Sequence, residues 1–226
     1  MTSSVPEGVT IAVSDSIKVS GLLQHPKNPK SVLVLAHGAG AGMHDPYMAG
    51  LANELQRLDV ATLRYQFPYM EHNGKRPDPP ALCHATVRAA VAAASRLLPP
   101  LPLFAGGRSF GGRMTSQAQA AAPLPGVRGI IFFGFPLHPP KQPSAARGEH
   151  LLKLAIPLLF LQGTRDALAD SALLHTLVTR LGRTATVAWL QDADHSFHVP
   201  VRTGRTDAQV QTDVLTALVK WMSDRA

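Results

Sequence analysis

Short apolar runs alternate with longer segments of helical periodicity along most of this chain. The run Ser31–Ala36, Ser-Val-Leu-Val-Leu-Ala, is typical of a strand that is covered on both faces. The β-rich runs predict strands at residues 9–13, 18–23, 31–36, 60–65, 101–105, 127–133, 157–162 and 185–190. The helical segments predict helices at residues 47–58, 81–98, 109–121, 168–181 and 206–224. Because strands separated by helices of this length form βαβ units, we predict an α/β fold with a mostly parallel central sheet and helices on both of its faces.

Two proline-rich loops interrupt this alternation. Residues 66–79 contain three prolines and residues 134–148 contain four, and both loops are longer than usual connections. We therefore expect them to shape a binding pocket. The predicted elements use nearly all of the 226 residues, which favours a single domain over residues 1–226. No insertion large enough for a separate lid domain follows the strand at 127–133.

Composition narrows the cellular context and the partners. The net charge of +7 is spread along the chain with no run of five basic residues, so we expect a basic surface and no nucleic-acid partner. The one cysteine, Cys83, excludes an intramolecular disulfide and favours a reducing compartment. Residues 1–7 lack a signal-peptide pattern, and the most apolar stretch, 151–161, is interrupted by Lys153 and Pro157. We expect a cytoplasmic protein with no membrane partner.

The sharpest chemical motif is Gly107-Arg-Ser-Phe-Gly111, which lies between the predicted strand at 101–105 and a helix. A nucleophilic serine must stand exposed on a sharp, strained strand-to-helix turn, and its neighbours two residues away must be small. The helix N-terminus directs free N–H groups toward charge that develops beside the serine. The motif therefore predicts Ser109 as a nucleophile.

A base and an acid follow this serine in the order that such a site needs. His195 lies just after the last predicted strand, and Asp166 follows the strand at 157–162. The order Ser109, Asp166, His195 is typical of α/β hydrolases, and each residue comes at the carboxyl end of a predicted strand, where ligands bind in open α/β sheets. We predict His195 as general base and Asp166 as the acid that orients it.

Other titratable residues offer weaker alternatives. His198 is a second candidate base. Asp170 is interpreted as a residue at or near a helix cap, and Asp192 and Asp194 as turn or surface acids. Of the two histidines, His195 is the favoured base.

Two backbone N–H groups are expected to form an oxyanion hole. One follows the nucleophile directly, at Phe110, and the other comes from the glycine-rich turn at residues 37–42, where Ala39 is our choice. The glycines of this turn also allow the backbone to approach a substrate closely.

The same turn does not match a dinucleotide-binding fingerprint. A Gly-x-Gly-x-x-Gly pattern that starts at Gly38 requires glycine where Met43 stands, and one that starts at Gly40 requires it where Asp45 stands. His195 and His198 are too isolated to form a metal site. We expect neither a cofactor nor a metal.

The residues around these motifs are candidates for substrate contacts. Those expected to contact substrate are His37, Gly38, Arg108 and His138. Positive charge from Arg108, Arg113, His138 and Lys141 would favour an anionic substrate, and Arg108 is the preferred candidate because it adjoins Ser109. The alternative is that these charges belong to the surface or to ion pairs that order the loops.

Nearly the whole chain, about 30–224, resembles the α/β-hydrolase superfamily, and its small dienelactone-hydrolase-like members most closely. Within that group it is similar to the family typified by a vertebrate testis-expressed protein and a chromatin acetyltransferase-complex subunit. The motifs that carry the resemblance are His37-Gly-Ala-Gly40, Gly106-Gly-Arg-Ser-Phe-Gly-Gly-Arg113, Phe135-Pro-Leu-His-Pro-Pro-Lys-Gln142 and Asp194-His-Ser-Phe197. The resemblance implies Ser109, His195 and Asp166 as nucleophile, base and orienting acid, with Ala39 and Phe110 as oxyanion donors.

Together these features predict a serine hydrolase, carboxylesterase-like, that cleaves small esters or related acyl compounds as a monomer or homodimer. The alternative is a binding or scaffolding module that keeps the hydrolase fold with little turnover, because some relatives act as parts of protein assemblies. A complete set of three residues favours the enzyme.

Overall fold

A computed structural model describes residues 5–226 and contains one eight-stranded sheet. The strands are β1 (Glu7–Ala12), β2 (Lys18–Gln24), β3 (Ser31–Ala36), β4 (Val60–Tyr65), β5 (Leu103–Arg108), β6 (Val127–Phe133), β7 (Leu158–Gly163) and β8 (Ala185–Leu190). The α-helices are α1 (Pro46–Arg57), α2 (Pro68–Glu71), α3 (Pro80–Leu97), α4 (Phe110–Ala121), α5 (Ser171–Leu181) and α6 (Asp207–Ser223). The described residues also form three 3₁₀ helices, Ala146–Lys153, Gly182–Thr184 and Val201–Thr203.

The sheet has the order β1-β2-β4-β3-β5-β6-β7-β8. β1 pairs with β2, and β2 with β4, in antiparallel fashion, whereas every pairing from β4 through β8 is parallel. The predicted α/β-hydrolase fold, with a mostly parallel sheet, is confirmed. The parallel strands bring the carboxyl ends of β3, β5, β7 and β8 to one edge of the sheet, where the candidate residues lie.

Alternate side chains of the central strands enter two different cores. On β3, Val32 and Val34 pack with α3 and α4, whereas Leu33 and Leu35 pack with α1 and α6. Helices therefore cover both faces of the sheet, which explains why β3 is continuously apolar. Cys83 is fully buried in the α3 side of the core.

The two proline-rich loops are more ordered than the sequence predicts. The first contains α2, and the second leads into the 3₁₀ helix Ala146–Lys153. Helix α5 begins later than predicted, at Ser171, because the side chain of Asp170 caps it by accepting the N–H of Leu173 at 2.9 Å. Within residues 5–226 no separate lid domain covers the carboxyl edge of the sheet. No helix in this part of the chain is both long and apolar enough to cross a membrane.

Candidate active site

Ser109 stands on a strained turn between β5 and α4. Its φ is +49° and its ψ is −114°, a backbone conformation that residues other than glycine rarely adopt. A Cβ at Gly107 would lie 2.4 Å from the carbonyl oxygen of Ala36, and one at Gly111 would lie 2.5 Å from that of His37. Only glycine fits at either flank, so the motif raises the serine above the sheet edge as the sequence predicts.

Two hydrogen bonds connect Ser109 to Asp166 through His195. The Oγ of Ser109 lies 2.8 Å from Nε2 of His195, and Nδ1 of His195 lies 2.7 Å from Oδ2 of Asp166. Because a carboxylate only accepts, Nδ1 carries the proton and Nε2 is free to accept the hydroxyl proton of Ser109. The structure therefore brings together the three residues that the sequence predicts for the site.

Asp166 is held by further donors. Its side chain is fully buried, Oδ1 accepts the backbone N–H of Leu168 at 2.8 Å, and Oδ2 also accepts Nε2–H of Gln162 at 2.5 Å. The Oε1 of Gln162 in turn accepts the backbone N–H of Phe135. Sequence reasoning missed Gln162, although a glutamine at the end of the apolar run Leu158–Gly163 is a signal in itself.

Two glycines make room for the loop that carries His195. A Cβ at Gly163 would lie 2.3 Å from the carbonyl oxygen of Ala193. At Gly134, where φ is +70°, a Cβ would lie 3.3 Å from the His195 ring. These close approaches fix the imidazole over the ends of β6 and β7.

The neighbouring polar residues of this loop have structural partners. Asp194 accepts the backbone N–H groups of Ser196 and His198, as a turn acid does. His198 is exposed and its Nδ1 lies 2.8 Å from Asp207, whose carboxylate raises the pKa of this histidine. His198 therefore lies outside the hydrogen-bonded set formed by Ser109, His195 and Asp166.

A cavity of about 580 Å³ opens beside Ser109, within the size range of small-ligand sites. Its lining comprises Ala39, Pro77, Asp78, Pro80, Ser109, Phe110, Arg113, Met114, Pro136, Pro139, Pro140, Arg147 and Leu168. Both proline-rich loops contribute to it. The backbone N–H groups of Ala39 and Phe110 donate to no other group in the described part of the chain, so both are available to a ligand.

The residues expected to contact substrate lie elsewhere. His37 is buried, its Nδ1 lies 2.7 Å from the carbonyl oxygen of Gly38, and its Nε2 accepts the backbone N–H of Phe67. Burial lowers the pKa of His37, which keeps the ring neutral. Gly38 is also buried and packs against Arg108. Both residues shape the turn and neither lines the cavity.

His138 has a similar structural role. It is 4% exposed, its Nδ1 lies 2.8 Å from the carbonyl oxygen of Pro139, and its Nε2 accepts the backbone N–H of Asp170 at 2.8 Å. The ring thus joins the second proline-rich loop to the start of α5. Lys141 is exposed and does not line the cavity.

Arg108 points away from the cavity. Its guanidinium forms an ion pair with Asp45 at 3.3 Å, donates to Oγ of Ser196, and lies 5.0 Å from the centre of the Tyr47 ring. Arg108 is the last residue of β5, whereas Ser109 lies on the positive-φ turn that follows, so adjacency in sequence does not place the two side chains together. Of the expected cationic residues, Arg113 alone lines the cavity.

Comparison with protein families agrees with the observed fold. The family described as "alpha/beta hydrolase domain" matches residues 29–223. The chain belongs to the α/β-hydrolase family. The prediction of superfamily membership is therefore confirmed, and the match includes the six strands from β3 to β8. In residues 5–226 no group of three or more His, Cys, Asp or Glu side chains is arranged to hold a metal ion.

Solved structures of α/β hydrolases resemble this one in fold. A dienelactone hydrolase from Anabaena variabilis has a TM-score of 0.75 at 19% identity, with 97% of this chain and 98% of that chain covered. A serine hydrolase without a lid from Xanthomonas campestris has a TM-score of 0.70 at 18% identity, with coverages of 93% and 94%. A dienelactone-hydrolase-like promiscuous phosphotriesterase from metagenomic libraries has a TM-score of 0.72 at 18% identity, with 99% of both chains covered. At these identities the likeness shows the α/β-hydrolase fold.

Proposed function

We propose that this α/β hydrolase is a serine hydrolase that cleaves small esters or related acyl compounds through an acyl-enzyme. The observation that carries the proposal is the pair of hydrogen bonds from Ser109 through His195 to the buried carboxylate of Asp166. Ser109, the first residue of this hydrogen-bonded series, lines a cavity large enough for a small molecule.

In the proposed reaction the hydroxyl of Ser109 attacks the ester carbonyl carbon as Nε2 of His195 takes its proton. Asp166 holds the imidazole in the required tautomer and stabilises the imidazolium. The N–H groups of Ala39 and Phe110 donate to the oxyanion of the tetrahedral intermediate. His195 then returns the proton to the leaving alcohol, and water, activated by His195, releases the acid from Ser109.

The cavity limits the class of substrate. Its walls contain five prolines together with apolar side chains, and no separate lid domain lies over it in the described residues. We therefore propose compact acyl substrates rather than bulky lipids. A cytoplasmic location and a monomer or homodimer without a nucleic-acid partner stay our predictions.

A fluorophosphonate probe tests this proposal directly. We expect it to label the wild-type protein and Ser223→Ala, in which an exposed serine at the end of α6 is removed, but not Ser109→Ala. 4-Nitrophenyl acetate hydrolysis should follow the same pattern. A folded wild-type protein that takes up no label and releases no nitrophenol would overturn the proposal and favour a binding or scaffolding module.

A further inference from the structure

Two arginines face the same cavity as Ser109 without a carboxylate partner. Neither Arg113 nor Arg147 takes part in an ion pair of residues 5–226. We propose that these two guanidinium groups bind an anionic group, a carboxylate or a phosphate, carried by the substrate. This inference rests on the proposed hydrolase function and specifies the substrate class of the same site.

Arg113 is placed by the helix that begins at the nucleophile. It follows Ser109 by four residues, about one helical turn, so both side chains lie on the same side of α4. Its guanidinium carbon lies 5.8 Å from the centre of the Phe110 ring. The Nε of Arg113 is buried and has no hydrogen-bond partner in the described structure. A buried donor without an acceptor is costly, and an anion in the cavity would supply one nearby.

Arg147 is brought to Arg113 by a contact between their two helices. The Nε2 of His150, three residues after Arg147 on the 3₁₀ helix, lies 2.7 Å from Oγ of Ser116. Ser116, three residues after Arg113 on α4, donates to the carbonyl oxygen of Arg113 at 3.0 Å. The two helices are thus joined one turn away from both arginines, which positions the two side chains on a common wall of the cavity.

The electrostatic balance of the cavity leaves these charges uncompensated. Burial, followed by the charge of Arg147, lowers the pKa of Arg113, as expected for two close cations with no counterion. The acidic residue in the lining, Asp78, uses Oδ2 to accept the backbone N–H of Tyr69 at 2.8 Å. Guanidinium groups bind carboxylates and phosphates through paired N–H donors, so an anionic substituent fits this pair better than a neutral one.

A matched pair of esters tests the proposal by kinetics. 4-Nitrophenyl hexanoate and mono(4-nitrophenyl) adipate have the same acyl chain length and differ in a terminal carboxylate. We expect Arg113→Gln and Arg147→Gln to lower kcat/KM for the adipate ester roughly tenfold or more, and to change hexanoate turnover little. Lys153→Gln, an exposed position on the same 3₁₀ helix, is the charge-matched control and should leave both rates unchanged.

A binding measurement also tests anionic groups that belong to the alcohol part of an ester substrate, and it does not depend on turnover. We would titrate the Ser109→Ala protein with benzoate and with phenylphosphonate in a calorimeter. Stronger binding of benzoate identifies a carboxylate-bearing substrate, and stronger binding of phenylphosphonate a phosphate-bearing one. Either result supports the anion site, provided that adding Arg147→Gln weakens the binding roughly tenfold while adding Lys153→Gln does not.

The outcomes separate this inference from the proposed function. If the wild-type protein hydrolyses hexanoate, both arginine variants keep the wild-type ratio of adipate to hexanoate turnover, and neither benzoate nor phenylphosphonate binding depends on Arg147, the anion site is overturned and the hydrolase stands. If no ester is hydrolysed, the hydrolase proposal fails, and the calorimetric result alone decides the anion site. In that case the anion site is refuted if neither anion binds Ser109→Ala, or if both bind equally well when Arg147→Gln is added.

Discussion

Gln162 donates a 2.5 Å hydrogen bond to the same carboxylate oxygen of Asp166 that receives the ring N–H of His195. The glutamine is fully buried at the end of β7, and its carbonyl is fixed by the N–H of Phe135. Asp166 therefore cannot turn away from His195 without breaking a bond to Gln162. The relationship assigns Gln162 a positioning role behind the acid.

Removing this donor should impair turnover more than substrate binding. We expect Gln162→Met to lower kcat for 4-nitrophenyl acetate roughly tenfold or more, because a hydrogen bond to a charged group is lost, and to leave KM nearly unchanged. Gln24→Met is the control, since Gln24 is as buried but lies at the end of β2, where it bonds to Arg64 on β4 and to Asn53 and Gln56 on α1. Equal losses of kcat in the two variants would show a general packing effect instead.

Substitutions at Asp166 and His195 should differ in severity. Asp166→Asn keeps the shape of the side chain but favours the wrong histidine tautomer. We therefore expect kcat to fall by a factor of roughly 10⁴ and a small residual activity to remain. His195→Ala should abolish 4-nitrophenyl acetate turnover. His198→Ala, at an exposed ring nearby, should retain it. Wild-type rates in His195→Ala would remove that residue from the proposed mechanism.

The turn that carries Ser109 should tolerate no added methyl group. We expect Gly111→Ala to destabilise the protein by about 2 kcal/mol or more, because its Cβ would lie 2.5 Å from the carbonyl oxygen of His37. Gly50→Ala on α1 meets no atom within 4 Å and should stabilise by about 0.5–1 kcal/mol. Urea unfolding measures both changes. A neutral Gly111→Ala would mean that the backbone there relaxes freely.

His150 should make stability depend on pH in the acidic range. Burial, aided by nearby positive charge, lowers its pKa from 6.5 to about 4, so the unfolded chain binds a proton more readily. The contribution of the neutral His150 to stability is therefore fully present above pH 6.5 and is lost as the pH falls toward 4. We expect His150→Gln to flatten this part of the stability profile, measured by urea unfolding at several pH values. His175→Gln, at an exposed position on α5, should leave the slope as in the wild type.

The local sequence determined those features that depend on backbone geometry. The glycines around Ser109 predicted a strained turn because no other residue fits beside Ala36 and His37. The alternation of apolar strands and helices predicted a parallel sheet, and parallel strands end at one edge. The positions of Ser109, Asp166 and His195 after three such strands were therefore enough to predict that the three side chains meet.

Only the tertiary structure decided which polar side chains face the cavity. Arg108 adjoins the nucleophile but turns to Asp45, whereas Arg147, far along the chain, reaches the cavity because His150 bonds to Ser116. His37 and His138 are taken up by backbone groups that pack around them. The direction of a loop side chain depends on partners distant in sequence, and these partners are known only once the chain has packed.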